Sequence, residues 1–186
     1  MIKRKNKEVN YLNTSIRGME NEIKNNSSQT SAPIHLNSRV KQILYEACNN
    51  YILNRLHNIN HHIAMLEESL QSETKSSAGD KHETGRASIQ LEREKAGVQL
   101  MEAEKIQQQL QRISTENTPA TVQLGSVIIT NKYHYFIAIP AGKITADGMN
   151  FFAIGNDAPI AKMMLGKSVN DTITFNKQQF TITAIF

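Results

Sequence analysis

Two carboxylates three residues apart are the best candidates for chemistry in this sequence. Asp80 and Glu83 stand in the run Gly79-Asp80-Lys81-His82-Glu83, directly before a long stretch with helical periodicity. Side chains three apart lie on one face of a helix, and carboxylate oxygens are ligands that Mg²⁺ accepts. The same spacing fits a capping box, in which Asp80 caps the helix and Glu83 reaches back to the backbone. The local pattern favours capping, which would still leave both carboxylates at an exposed position.

Four basic side chains near this pair are candidates for contact with RNA phosphates. A Lys or Arg side chain binds a phosphate through charge-assisted hydrogen bonds. The alternative is an ordinary charged face in contact with water, which the pattern favours for any single one of them. The four residues are Lys75, Lys81, Arg86 and Arg93.

Histidine and cysteine offer weaker candidates. His57, His61 and His62 have spacings that occur in zinc sites. No cysteine or carboxylate cluster accompanies them, so we expect them to face water or flank a helix contact. Cys48 is the one cysteine, which excludes an intrachain disulfide and a cysteine-rich zinc site. We predict that it packs as a small apolar side chain.

Residues 38–116 predict two long helices that could position the carboxylate pair. They contain no proline, and their apolar residues recur at alternating intervals of four and three, as in a heptad repeat. Residues 72–80 interrupt this pattern and predict a turn. The simplest structure is an antiparallel coiled-coil hairpin with its tip near residues 73–83 and helices of roughly 30–35 residues. Its expected seam consists of Ile52, Leu56, Ile59, Ile63, Leu66 and Leu70 on the first helix and Ile89, Ala96, Leu100, Ala103, Ile106, Leu110 and Ile113 on the second.

A linker at residues 117–120 precedes a small domain, residues 121–186, in which the apolar period changes to two. Residues 158–166 predict a short helix with Pro159 in its first turn and Gly166 at its end. The predicted fold class is therefore α+β, with a helical hairpin followed by one helix on an antiparallel sheet. The expected strands are residues 127–130, 133–139, 150–154, 172–175 and 179–186, with turns at Asn131-Lys132 and Asp147-Gly148.

The N-terminal residues 1–37 are rich in Asn, Ser, Lys and Thr and predict a disordered tail. They hold six Lys or Arg and three Glu, so +3 of the net charge of +4 belongs to them. A basic excess confined to a tail does not indicate a surface for duplex DNA. No apolar run is long enough for a membrane span, and the first 30 residues lack a secretory signal. We therefore expect a soluble cytoplasmic protein that does not bind membranes.

Taken together, these features resemble the Gre family of bacterial transcript-cleavage and transcription elongation factors. The run from Gly79 to Glu83 matches the family's Gly-Asp-x-x-Glu tip. The small domain adds Gly125-Ser126, Pro159-Ile160-Ala161-Lys162 and Leu165-Gly166-Lys167. The resemblance covers about residues 40–186 in the family's order, and it implies a coiled-coil hairpin followed by an FKBP-like domain.

The resemblance implies an accessory factor of RNA polymerase rather than an enzyme in its own right. The family's hairpin enters the secondary channel of the polymerase, where two tip carboxylates help to hold a second Mg²⁺ and the polymerase cleaves the 3′ end of backtracked RNA. Asp80 and Glu83 would hold that Mg²⁺ jointly with the polymerase, and no cofactor of the chain's own is implied. Asp157 and Pro159 match an Asp-x-Pro that contacts the polymerase rim, and Ile160 follows them. Contact with nascent RNA and the transcription complex would come through the polymerase, and we expect a monomer.

Two alternatives stay open. The family's acidic tip is commonly followed by Asn-Ala-Glu-Tyr, whereas Thr84-Gly85-Arg86-Ala87 follows it here, so that Arg86 replaces an acid. One alternative is therefore a secondary-channel regulator that binds the polymerase without promoting cleavage. The other is a coiled-coil adaptor between proteins, unrelated to transcription.

Overall fold

The computed structural model of the protein describes residues 38–74 and 80–186, with side chains described for residues 39–72 and 84–186. The predicted disordered tail at 1–37 and the middle of the predicted tip, residues 75–79, lie outside the described residues. The fold is α+β, as predicted, because two long helices precede a six-stranded sheet that carries one short helix. The elements are α1 (Ser38–Thr74), α2 (Asp80–Gln111), β1 (Val127–Thr130), β2 (His134–Ala138), β3 (Gly142–Ala146), β4 (Met149–Gly155), α3 (Pro159–Met164), β5 (Thr172–Phe175) and β6 (Gln178–Ile185). None of the helices in the described ranges is long and apolar enough to cross a membrane.

Helices α1 and α2 pack against each other in opposite directions. Glu67 of α1 lies beside Arg93 of α2, whereas Lys41, near the start of α1, lies beside Asn117, just past the end of α2. The predicted seam positions are all buried or half-buried, and Ala96 and Ala103 are the most enclosed positions of the middle of α2. The heptad spacing therefore predicted correctly which side chains of this region are sheltered from water, while the coiled-coil hairpin itself stays a prediction.

The six strands form one mixed sheet in the order β3-β4-β2-β1-β6-β5. The predicted hairpin of β1 and β2 is confirmed, because the strands are antiparallel and the Thr130 N–H donates to the Tyr133 carbonyl across Asn131-Lys132 at 3.1 Å. β5 and β6 form a second hairpin, whose turn residues Asn176 and Lys177 both have positive φ. Both hairpins place their strands where the alternating pattern indicated.

The prediction of a wholly antiparallel sheet is wrong, because β2 and β4 pair in parallel, with His134 opposite Phe151 and Ala138 opposite Gly155. The cause is strand β3, residues 142–146, which the sequence prediction omitted. The chain leaves β2, runs out to the edge of the sheet as β3, and returns through the Asp147-Gly148 turn as β4, which inserts between the two. Since β3 runs opposite to β2 and β4 runs opposite to β3, β4 runs in the same direction as β2.

The core lies on both faces of the sheet. On one face, α3 contributes Ala161 and Met164 to a cluster with Ile137 and Ile182. The alternate residues of the strands, including Val127, Phe136 and Phe151, are also fully buried, which shows that the second face is covered as well. Phe136, Phe151 and Phe180 are buried in this core, while Phe152 and Phe175 are half-buried.

Candidate functional site

The carboxylate pair stands at the start of α2, at the end of the helix pair that is remote from the sheet. Asp80 is the first residue of α2, and Glu83 belongs to the same first turn. At 1.5 Å per residue, about 45 Å of helix separates this turn from Leu110, which is buried near the other end of α2. The side chains of Asp80 and Glu83 lie outside the described residues, as do Lys75 and the side chain of Lys81, so their roles stay predictions.

The remaining two basic candidates differ in their surroundings. Arg86, in the second turn of α2, is exposed. Arg93 instead reaches across to α1, where its Nη2 and Nε donate to Glu67 Oε1 at 2.9 and 3.1 Å. Their side chains are 52% and 47% exposed, so this ion pair contributes at most about 1 kcal/mol. It does hold Arg93 to α1, and Arg86 is therefore the freer of the two for a phosphate.

The opposite end of the helix pair is fastened by two side-chain hydrogen bonds, one to the linker and one to the sheet. Lys41 is only 2% exposed, and its Nζ donates to the Asn117 carbonyl of the linker at 2.7 Å. Gln109 Nε2 donates to the carbonyl of Ala138, at the end of β2, at 2.6 Å. Cys48 of α1 is fully buried in the same region, and burial raises the pKa of its thiol to about 12. These contacts stabilise the base of the helix pair against one end of β2.

Cys48 is fully buried, as predicted, and its raised pKa leaves it unreactive near neutral pH. Lys41 was not expected in the core, because lysine is seldom fully buried. Burial lowers the pKa of the Lys41 ammonium from its usual value. Its signal in the sequence is only the apolar period around it, formed by Val40, Leu44 and Cys48.

The predicted docking residues lie together in the turn from β4 into α3. Asp157 is exposed, Pro159 is the first helical residue and exposed, and Ile160 is half-buried against the core cluster. The Asp157 carboxylate folds back over Gly155, where a Cβ atom would lie 2.5 Å from Asp157 Oδ1. Ala158 rather than Asp157 is the N-cap of α3. Gly155 therefore allows this turn to close.

An exposed apolar surface that the sequence prediction missed continues from Pro159. Met163, one helical turn beyond Pro159, is 41% exposed, and Leu165 and Val169 are exposed to a similar degree. Met164, the residue after Met163, is fully buried in the core cluster, so the two methionine side chains lie on opposite sides of the boundary between core and surface.

Histidine provides no metal centre in the described ranges. His57, His61 and His62 are all exposed on α1. No group of three or more His, Cys, Asp or Glu side chains comes together to hold a metal ion among the residues that the structure describes. His134 is a different case, because its Nδ1 is buried without a hydrogen-bond partner in that part of the chain, and its ring lies 5.5 Å from Phe151.

No protein-family model matches the chain, and no curated protein sequence matches it. Among solved structures, the chain is similar to one described as the structure of the transcription factor Gfh1. The two share 22% sequence identity, the match covers 77% of this chain and 94% of that chain, and the TM-score is 0.31. A similarity at this level leaves the function of the chain open.

Proposed function

We propose that this protein is a Gre-like transcription factor that binds RNA polymerase, inserts its helix pair into the secondary channel, and stimulates cleavage of the 3′ end of backtracked RNA. The proposal rests on the sequence resemblance at the tip and in the small domain. One structural observation supports it most: Asp80 and Glu83 share the first turn of α2, and the other end of the helix pair is fastened to the sheet. Acidic residues held at the end of a long anchored element suit delivery into a deep site.

In the proposed mechanism, Asp80 and Glu83 would hold a Mg²⁺ ion together with carboxylates of the polymerase. Two positions three apart on one helical turn can face one point, and a hard cation that keeps several waters needs only one or two protein ligands. Such an ion would supply Lewis-acid chemistry, by activating a water molecule and stabilising the leaving oxygen of the phosphodiester. The chain itself would supply positioning and negative charge, so the isolated protein should have no nuclease activity.

The small domain is proposed to be FKBP-like and to dock on the rim of the channel. Asp157 offers an exposed carboxylate, and Pro159 and Ile160 fix the start of α3 beside it. The exposed side chains of Met163 and Leu165 extend this surface with apolar area. An acid beside exposed apolar residues can both bind and orient a partner. In this proposal the protein is cytoplasmic, where the polymerase is.

The test is a cleavage assay on a backtracked complex of the matching polymerase. Wild type is expected to shorten the RNA from its 3′ end, because it completes the metal site. Asp80→Asn and Glu83→Gln should each reduce this rate at least about 100-fold, the effect of losing a metal ligand on a metal-dependent step. Polymerase binding, measured separately, should change less than about threefold.

Glu92→Gln is the matched control, because Glu92 is an exposed carboxylate farther along α2. It should cleave as wild type does. If Asp80→Asn and Glu83→Gln also cleave normally, the carboxylate pair has no part in the reaction and the proposal is wrong.

A second candidate is a secondary-channel regulator that does not promote cleavage. Arg86, exposed one turn beyond the acidic pair, favours it because it places a positive charge where the family has an acid. Binding to the polymerase without any cleavage would support this function. Pull-downs that recover no polymerase subunit would instead favour a coiled-coil adaptor.

A further inference from the structure

The outer face of α2 carries a row of large apolar side chains that α1 does not cover. Leu91, Val98 and Met101 are 52%, 51% and 53% exposed. At 100° per residue, they lie roughly 120–160° around the helix axis from the seam residues Ala96 and Ala103. The packing of α1 on α2 therefore leaves these three side chains in water.

These residues form a second heptad row. Leu91, Glu94, Val98, Met101 and Lys105 follow one another at intervals of three and four, which is the spacing of a helix-to-helix contact. The row thus contains three apolar side chains, one acid and one base. Lys95 and Glu102 flank it, and all four charged residues are exposed.

The row is complementary to itself when two copies run in opposite directions. If Val98 of one copy faces Met101 of the other, a step of four residues back along the first helix is a step of four forward along the second. Glu94 then faces the partner's Lys105, and Lys95 lies next to the partner's Glu102. A two-fold axis makes each of these contacts twice.

The charges select this orientation over the parallel one. In a parallel pair in register, Glu94 would face the partner's Glu94 and Lys105 would face the partner's Lys105, and like charges repel. Arg93 and Glu67 form an ion pair with each other. Glu94, Lys95, Glu102 and Lys105 form no ion pair within the described ranges. Each is therefore available to a second copy.

We propose that two copies of this chain associate through the outer faces of their α2 helices, antiparallel, with Val98 against the partner's Met101. A contact along one row of side chains buries less surface than a standard interface, which buries about 1,200–2,000 Å². We therefore expect the dimer to be weak and its population to depend on concentration. It differs from the monomer that the sequence led us to expect. It does not depend on the proposed function in transcription.

The first test is sedimentation of the full chain from about 5 to 500 µM at low salt, where charge pairs are least screened. The average mass of wild type should rise towards that of a dimer. Glu94→Lys should raise the dissociation constant at least about tenfold, because it faces the partner's Lys105 with a like charge. Glu94→Lys combined with Lys105→Glu restores opposite charges and should restore the dimer.

Glu68→Lys is the matched control, since it reverses an exposed charge on α1 rather than α2. It should dimerise as wild type does. A wild-type mass that stays monomeric over the whole range would overturn the proposal. A double variant that associates no better than Glu94→Lys would also overturn it, because the pairing of Glu94 with Lys105 would then be wrong.

Cross-linking tests the direction of the pair. A mixture of Val98→Cys chains and Met101→Cys chains should form an intermolecular disulfide faster than either variant alone, because only the mixture brings the two positions face to face. The native Cys48 is buried and does not compete. Faster self-linking of Val98→Cys alone would indicate a parallel pair and contradict the proposed arrangement.

Discussion

Gly125 shows how one residue joins the helix pair to the sheet. Its φ is +86°, and a Cβ atom there would lie 2.8 Å from Cγ2 of Ile113, which follows α2. Glycine is needed for two separate reasons, because other residues disfavour this backbone conformation and because Ile113 occupies the space of a side chain. Gly125-Ser126 is one of the motifs on which the resemblance to the Gre family rests. The positive φ and the contact with Ile113 explain why a glycine occupies the first position.

Gly125→Ala should therefore lower the free energy of unfolding by more than the strain of a positive φ alone, because the new methyl group also clashes with Ile113. We expect a loss of about 2–4 kcal/mol in the free energy of unfolding, from backbone strain together with overpacking against Ile113. Gly148→Ala is the matched control, because its φ is +78° and nothing lies within 4 Å of its Cβ position. It should cost about 1 kcal/mol in the same urea titration, and equal losses would exclude the clash.

His134 should make the fold sensitive to acid. Burial lowers the pKa of its imidazole below the usual 6.5, and Nδ1 has no hydrogen-bond partner within the described part of the chain. The unfolded chain therefore takes up a proton at a higher pH than the folded chain does, so stability falls as the pH drops below about 6.5.

Thermal melts between pH 7.5 and pH 5 measure this effect. His134→Gln should reduce the fall in melting temperature over that range. His62→Gln, which changes an exposed histidine, should leave the fall as it is in wild type. An unchanged pH dependence in His134→Gln would show that the acid sensitivity comes from other groups.

At the scale of elements, the helix pair depends on which side of each helix its apolar residues occupy. Leu66 is 7% exposed, while Leu53 of the same helix is 45% exposed. Leu66→Ala should lower the free energy of unfolding by about 2–3 kcal/mol, because it leaves a cavity between α1 and α2. Leu53→Ala removes the same atoms from a surface position and should cost less than about 1 kcal/mol. Similar losses in the two variants, measured by urea unfolding, would contradict the seam.

The sheet shows where element prediction fails. β3 lies at the edge, and its exposed Lys143 and Thr145 alternate with the half-buried Ile144. Pro140 precedes this strand and Gly142 begins it, and both residue types indicate an interruption of a strand pattern. Gly142 has a positive φ of +81°, so it turns the chain into β3 instead of ending the sheet.

At the scale of the whole molecule, Lys41 ties the base of α1 to the linker beyond α2. Its ammonium is buried with a single described acceptor, the Asn117 carbonyl at 2.7 Å, and no carboxylate among the residues that the structure describes pairs with it. A buried charge without an opposite charge is costly, whereas the carbonyl of the exposed Asn117 can bind water instead. The contact therefore contributes more to the position of the linker than to stability.

Lys41→Met should increase the free energy of unfolding at pH 7 by about 1 kcal/mol. Burial lowers the pKa of Lys41 below 10.5, so the folded chain releases this proton first, and wild-type stability rises as the pH approaches 10.5. The advantage of the variant should therefore shrink at pH 10. Amide hydrogen exchange in residues 117–120 should become faster, because the linker has lost its tether.

For this prediction, Lys162→Met is the control on an exposed lysine, and it should change neither stability nor exchange in the linker. A Lys41→Met protein that is less stable than wild type at pH 7 would show that the hydrogen bond to Asn117 outweighs the cost of the buried charge.

The sequence by itself determined the features that depend on neighbours along the chain. Heptad spacing identified the contact between α1 and α2, period-two alternation identified β1, β2, β5 and β6, and Pro159 with Gly166 marked the ends of α3 to within two residues. The spacing of Asp80 and Glu83 is a local pattern of the same kind, since residues three apart share one helical turn, and the role of the pair stays a prediction. These signals are local because the hydrogen bonds of a helix and the turn of a hairpin are local.

Only the tertiary structure decided which distant parts meet. It inserted β4 between β3 and β2 in parallel, buried Lys41 against the linker, and placed Ile113 over Gly125. It also left Leu91, Val98 and Met101 outside the helix contact. Contacts of this kind follow from how whole elements fill the space around a common core, and no periodicity within one segment records that competition.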